Sequence, residues 1–294
     1  MISEKMKPMM AGSSVIRAMF EEGVKMAAVY GKDNVYDFSL GNPNVPAPDC
    51  VKQAILDIIN EEDPVMVHGY MPNAGYVDVR TAVADSLNRR FGMDYGPENI
   101  LMTVGAASGL NDILKTILNP GDQVLTFAPF FVEYSSYVKN YDGELVVVPP
   151  DTSTFQPDLE EFEKRINHRT KAVIVNNPNN PTGVVYSEET IRRMAGVLER
   201  KSREIGHPIV LISDEPYREL VYDGVQVPYI PKFYKDTVVV YSYSKSLSLP
   251  GERIGYLAIS KDMTDWEEVM GAATIAHRIL GSVNAPSLMQ RVIM

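Results

Sequence analysis

From residue 100 onward, short apolar runs alternate with longer stretches that are apolar on one side only. The runs Ile100–Val104, Gln123–Phe127, Glu144–Val148, Lys171–Val175, Pro208–Ser213, Thr237–Tyr241 and Ile254–Ser260 are the length of strands and rich in Val, Ile and Leu. The stretches 106–118, 130–140, 187–204 and one near 158–166 repeat their apolar positions at helical spacing. Strands and helices in alternation predict an α/β domain with a mostly parallel central sheet. In such a sheet a ligand binds outside the carboxyl ends of the strands.

Upstream the pattern differs. Residues 13–30 predict an amphipathic helix, with Val15, Ile16, Met19, Phe20, Val24 and Ala27 forming its stripe. Residues 38–48 hold Gly41 and three prolines and read as an extended, turn-rich crossing. Helices are predicted at 49–60 and 75–91, and the loop between them carries Tyr70. The chain therefore divides into an N-terminal helix and arm, 1–48, and one large domain, 49–294. A last helix is predicted from Ala285, with a proline near its start and three apolar residues at its end.

Composition narrows the possibilities. The 294 residues are 45% hydrophobic and 22% charged, which suits one large domain or two smaller ones. Net charge is −10 and no basic run could follow a phosphate backbone, so nucleic acid is not an expected partner. A single cysteine, Cys50, allows no internal disulfide and suits a reducing compartment. No apolar run reaches membrane-spanning length and the first thirty residues lack a leader pattern, so a cytoplasmic protein without membrane contact is expected. The four histidines are scattered, so no metal site is expected.

The candidate chemistry stands where strands end. After 237–241 comes Ser242-Tyr-Ser244-Lys245, with Arg253 further on. A lysine held in apolar surroundings loses its proton more readily and attacks carbonyls. The two hydroxyls and the forked cation are what a phosphate needs. Together they point to a carbonyl cofactor with a phosphate handle, pyridoxal 5'-phosphate (PLP). A solvated lysine in a polar loop is the plainer alternative.

Four more strand ends carry matching groups. Asp214 follows an apolar strand, where a carboxylate needs a cationic partner such as a protonated pyridine nitrogen, and Tyr217 lies three residues on. A turn cap is the alternative for Asp214. Asn176 to Asn180 supply neutral amides for a phenolate oxygen, or simply make a turn. Gly105-Ala106-Ala107 opens a helix, where backbone N–H groups face an anion. Phe130 and Phe131 offer a flat face for stacking, or are core.

These motifs resemble the class I/II aminotransferase family, fold-type I PLP enzymes of the aspartate aminotransferase kind. The resemblance covers roughly residues 35–290 and rests on the lysine stretch 242–255 and on Asn176-Asn-Pro-Asn-Asn-Pro-Thr-Gly183. It implies the three-layer PLP-dependent transferase fold. Lys245 would carry the cofactor covalently, and Asp214 would face its pyridine nitrogen. Asn180 and Tyr217 would bond the phenolic oxygen, and Phe131 would stack on the ring. Ala106, Ala107, Ser242, Ser244 and Arg253 would hold the phosphate, joined by Tyr70 reaching into the neighbouring subunit of a homodimer. Gly41 and Asn180 would line the substrate, and the Ala128–Pro129 and Asn180–Pro181 bonds would be cis.

The activity so implied is transfer of an amino group between an L-amino acid and a 2-oxo acid by a ping-pong mechanism. A PLP-dependent carbon–sulfur lyase on the same fold is one alternative, and a PLP-binding fragment without full activity is another. The family continues beyond the length of this chain into a small C-terminal domain, so that domain is expected to be absent. Val15, Met19, Phe20, Val24 and the apolar side of the last helix are then expected to be partly exposed.

Overall fold

A computed structural model describes residues 1–12, 14–38 and 41–294, and the side chains of all of these but residues 10–17. They form two compact units, Met1–Val45 and Pro46–Met294. The first holds helices α1 (Met6–Gly12) and α2 (Ser14–Tyr30). Along α2, Met19, Phe20 and Val24 are exposed, as expected. The expectation for Val15 falls on a side chain outside those described.

The second unit begins with helices α3 (Asp49–Glu61), α4 (Pro64–His68) and α5 (Val77–Phe91). Then come β1 (Ile100–Thr103), α6 (Gly105–Ile117), β2 (Gln123–Phe127), α7 (Glu133–Asn140), β3 (Glu144–Val148) and α8 (Leu159–Arg165). They are followed by β4 (Thr170–Asn176), α9 (Glu188–Ile205), β5 (Val210–Asp214), β6 (Thr237–Ser242) and the single turn α10 (Tyr243–Ser246). The unit closes with β7 (Gly255–Ile259), α11 (Trp266–Ile279) and α12 (Ser287–Val292).

All seven strands share one sheet, in the order β1-β7-β6-β5-β4-β2-β3. The run β6-β5-β4-β2-β3 is parallel, and β7 lies antiparallel between β1 and β6. Apart from the edge strand β3, where Glu144 and Val147 are exposed, the sheet is buried on both sides, which is why its strands read as continuous apolar runs. Alternate residues still serve different layers. Val210 and Ile212 of β5 pack with α6, α7 and α11, while Leu211 packs with α8 and α9. Leu257 and Ile259 of β7 join the first of these layers, and Tyr256 and Ala258 turn to α5. This is the three-layer α/β arrangement expected. Among the described residues no helix is long and apolar enough to cross a membrane.

The last helix meets the expectation in part: Leu288, Val292 and Ile293 are partly exposed and Met294 is exposed, while its inner side is covered. Met289 and Gln290 of α12 are buried, and the helix packs on α3. Gln290 supplies the reason, because its side chain donates to Ala285 O at 2.9 Å and accepts from the Tyr76 amide at 3.0 Å. Arg291 also pairs with Glu62, so α12 is tied in by polar groups as well as by Met289.

Candidate active site

Parallel order brings the carboxyl ends of β2, β4, β5 and β6 to one edge of the sheet. Register sets Asn176 of β4 beside Asp214 of β5, and Asp214 beside Val240 of β6. Because β7 runs the other way, its first residue, Gly255, lies between Ser242 of β6 and Thr103 of β1. The loop just before Gly255 therefore delivers Arg253 to the same edge.

Asp214 is buried at the end of β5. Tyr134 of α7 donates its O–H to Oδ2 at 2.5 Å, and the Asp214 carbonyl accepts from Asn176 Nδ2 at 2.9 Å. The other carboxylate oxygen, Oδ1, is buried and has no hydrogen-bond partner among the described residues. Burial pushes the carboxyl up to about 7, the Tyr134 hydrogen bond works against that, and the neighbouring Glu215 charge adds to it. A buried carboxylate with one open oxygen is set up to receive a cationic donor.

Tyr217 follows on the turn after β5, and its hydroxyl accepts from Asn180 Nδ2 at 3.2 Å. Asn180 is itself placed by Asn176, whose Oδ1 accepts the Asn180 amide at 2.6 Å. Burial and the charge of Asp214 raise the Tyr217 phenol above its ordinary range. Two residues of the asparagine cluster thus have separate tasks: Asn176 braces the strand end and Asn180 meets Tyr217.

Lys245 sits in α10, one turn beyond β6. Ser242 caps that turn by accepting the Ser244 amide at 3.2 Å, and the two serine hydroxyls are 2.7 Å apart. Burial, and then the positive charge of Arg253, hold the Lys245 amine below its ordinary value. Arg253 has a left-handed backbone, φ 55, and donates to Pro250 O at 2.9 Å.

Two glycines make room for this arrangement. A side chain on Gly105, at φ 73, would put a Cβ 2.8 Å from Arg253 Nη2. One on Gly255 would put a Cβ 2.2 Å from Tyr241 O and 3.1 Å from Gly105 Cα. The turn at Gly105, the start of β7 and the guanidinium are therefore packed against one another. Ala106 and Ala107 lie in the first turn of α6, whose amides lack helical acceptors and whose end of the helix favours an anion.

Phe131 is half-buried and meets the Tyr134 ring edge-on, with centroids 5.7 Å apart. The Ala128–Pro129 and Asn180–Pro181 bonds are cis as expected, and Asn177–Pro178 is cis as well. Tyr70 is 95% exposed and joins none of the contacts above. Gly41 belongs to the first unit. Tyr134 was not singled out from sequence, and Asn176 was read only as part of its asparagine cluster. Tyr134 lies three residues after Phe131, a spacing that would have put it on the same side of the segment.

The residues present fit PLP. A half-buried amine, an open carboxylate oxygen, an amide with a phenol and an anion cradle of Arg253, two serines and a helix start stand at neighbouring strand ends. The comparisons point the same way. The sequence matches the profile described as Aminotransferase class I and II over residues 33–294.

The chain belongs to the class I and II aminotransferases.

Among its relatives, a Thermus aquaticus protein named a probable aspartate/prephenate aminotransferase is 36% identical over 231 residues, 76% of this chain and 57% of that protein. An aspartate aminotransferase of Pyrococcus horikoshii is 30% identical over 257 residues, 85% of this chain and 62% of that one. The crystal structure of an amino transferase from Eubacterium rectale is 48% identical, with a TM-score of 0.96 over 99% of this chain and 74% of that one. The class I/II aminotransferase chain described here thus spans less than two thirds of the length of these first two relatives.

Proposed function

We propose that the chain is a PLP-dependent aminotransferase that moves an amino group between an L-amino acid and a 2-oxo acid in a ping-pong sequence. The observation that carries this is the buried, open Oδ1 of Asp214 on the strand next to the one that leads into Lys245. Bound PLP supplies an electron sink for the carbanion left when an amino acid loses its α-proton.

The protein's own groups supply the rest. Asp214 holds a proton on the pyridine nitrogen through Oδ1, and Tyr134 keeps the carboxylate ionised by donating to Oδ2. Asn180 and Tyr217 would supply an amide and a hydroxyl to the phenolic oxygen. Arg253, Ser242, Ser244 and the amides of Ala106 and Ala107 hold the phosphate, and Phe131 covers a ring face. Lys245 Nζ, with its pKa lowered, would hold the cofactor and, when free of it, would serve as the base that removes the α-proton. A second copy of the chain would bring Tyr70 to the phosphate, so the unit of function is a homodimer.

The test is to load the protein with PLP, add a panel of amino acids with a 2-oxo acid, and measure both products of amino exchange. Amino exchange with any member supports the proposal. Release of pyruvate and ammonia instead identifies a lyase. PLP uptake at Lys245 without turnover of any amino acid leaves a PLP-binding protein.

A further inference from the structure

Asp214 is not the only buried acid at the end of β5. Glu215 follows it directly and is 1% exposed. Two adjacent buried carboxylates resist ionising together, so the second one works against the first. Glu215 turns away from the Tyr134 side. Its Oε1 accepts from Ser213 Oγ at 2.7 Å and its Oε2 from Arg218 Nε at 2.5 Å. Arg218 is 6% exposed, and its remaining nitrogens donate to Val227 O at 3.0 Å and Pro228 O at 3.1 Å. Its guanidinium lies 5.0 Å from the Phe91 ring and 5.2 Å from Tyr229, two rings stacked 4.1 Å apart.

We propose that Arg218 and Glu215 form a neutral buried clamp that positions the site from behind. Arg218 pairs with Glu215 and offsets part of its charge, leaving Asp214 as the carboxylate that faces the site, and it holds the turn that presents Tyr217. This rests on the roles given above to Asp214 and Tyr217. Every polar end of the clamp is satisfied within it, while Asp214 keeps an open oxygen. Stability alone does not account for the pair, because an apolar pair of similar volume often serves a core equally well. The turn runs from Glu215 to Arg218, with the Arg218 amide donating to Glu215 O at 3.3 Å, and Tyr217 lies inside it. Arg218 and Glu215 are therefore positioning residues: they act through Asp214 and Tyr217.

Tyr134 of α7 and Glu215 act on Asp214, and Tyr137 of α7 and Tyr217 on the turn feel its charge. The titratable groups around Arg218 are Glu215, Tyr229 and Tyr256. All of these except Glu215 are phenols, so the clamp sets the balance of charge behind the site.

The test uses the full chain without cofactor, with aspartate and glutamate carboxyls labelled with carbon-13 and the Asp214 signal assigned by its loss in Asp214→Asn. Arg218→Gln leaves two neighbouring carboxylates, which titrate as a coupled pair with an upper step at least about one pH unit above the parent Asp214 step. Glu215→Gln leaves the guanidinium unopposed and lowers the Asp214 step by about one unit or more. The double variant Glu215→Gln/Arg218→Gln returns it to within about half a unit of the parent. Arg218→Lys keeps the charge and also leaves the step within about half a unit, although it loses the fork.

Opposite shifts in the single variants that cancel in the double establish the clamp. Shifts of the same sign, or none, overturn it, since a purely structural loss has no reason to alternate in sign. If Arg218→Gln does not fold, the Glu215→Gln, double and Arg218→Lys variants decide: an unmoved Asp214 step in Glu215→Gln overturns the proposal. Adding PLP to the parent afterwards separates the two claims. An Asp214 signal that ignores PLP contradicts the cofactor assignment and leaves the clamp result standing.

Discussion

Replacing Asp214 by Asn should make the cofactor-free protein more stable at neutral pH, although it removes the central carboxylate of the site. The amide keeps the shape and can still accept from Tyr134, but it has no charge to bury. The native carboxyl sits near 7 against 3.8 for its ordinary value, a rise of about three units. At about 1.36 kcal/mol per unit, that is on the order of 4 kcal/mol. The sign follows from where the proton is held. Below the ordinary carboxyl range both folded and unfolded chains are protonated and the site contributes nothing. Between that range and about 7 the native state keeps a proton that the unfolded chain has lost, so each rise in pH erodes stability. Above about 7 both are ionised and the full cost is present.

Urea unfolding of parent and Asp214→Asn, followed across this range, should show a stability difference that grows in favour of the variant as pH rises. It should level off above about 7. Taking the difference between the two proteins cancels groups that titrate alike in both. PLP, by presenting a cation to Oδ1, should return the advantage to the parent. A difference that does not change with pH would refute the claim that Asp214 is held under strain for a cationic partner.

Other consequences follow from single contacts. Tyr134→Phe removes the 2.5 Å donor and should raise the Asp214 titration by about one to two units, since a hydrogen bond to a charged group is worth about 1.5–3 kcal/mol; an unmoved titration would show that the hydroxyl does not hold the ionised form. Arg253→Ala should raise the PLP dissociation constant about tenfold to a hundredfold by equilibrium dialysis, with an equal loss of affinity for inorganic phosphate as the contradicting result if it is absent. Gly105→Ala should cost about 1–2 kcal/mol from its left-handed backbone, read in urea unfolding, and should weaken PLP binding because its Cβ would lie 2.8 Å from Arg253 Nη2. PLP affinity equal to that of the parent would show that the guanidinium does not need that space.

The sheet was legible because its strands other than β3 are buried on both sides and so read as unbroken apolar runs. The edge that holds the site was legible for a related reason: polar residues that directly follow such runs must be placed at strand ends. Strand direction was not. Nothing in Ile254–Ser260 marks β7 as antiparallel, yet that reversal brings Arg253 to the carboxyl ends of its neighbours. Tyr134 escaped notice because a lone tyrosine on a helix carries no signal until the tertiary structure sets it against Asp214. Arg218 and Glu215 carried no signal in the sequence, since only the fold sets the Arg218 guanidinium against Phe91 and Tyr229. The helix at 266–279 has a broad apolar content and was not read as an element, although it packs directly on α6. The exposed stripe of α2 and the partly exposed residues of α12 were anticipated, whereas the buried side of α12 depends on Gln290, a polar residue whose partners are Tyr76, more than two hundred positions away, and Ala285, just before the helix.

The central claim is that Lys245 is the residue that carries the cofactor. Loading the protein with PLP, reducing with borohydride and mapping the peptides tests it directly. The account predicts a pyridoxyl group on Lys245 and its disappearance in Lys245→Ala. A label on Lys232 or Lys261 that persists in that variant would contradict it.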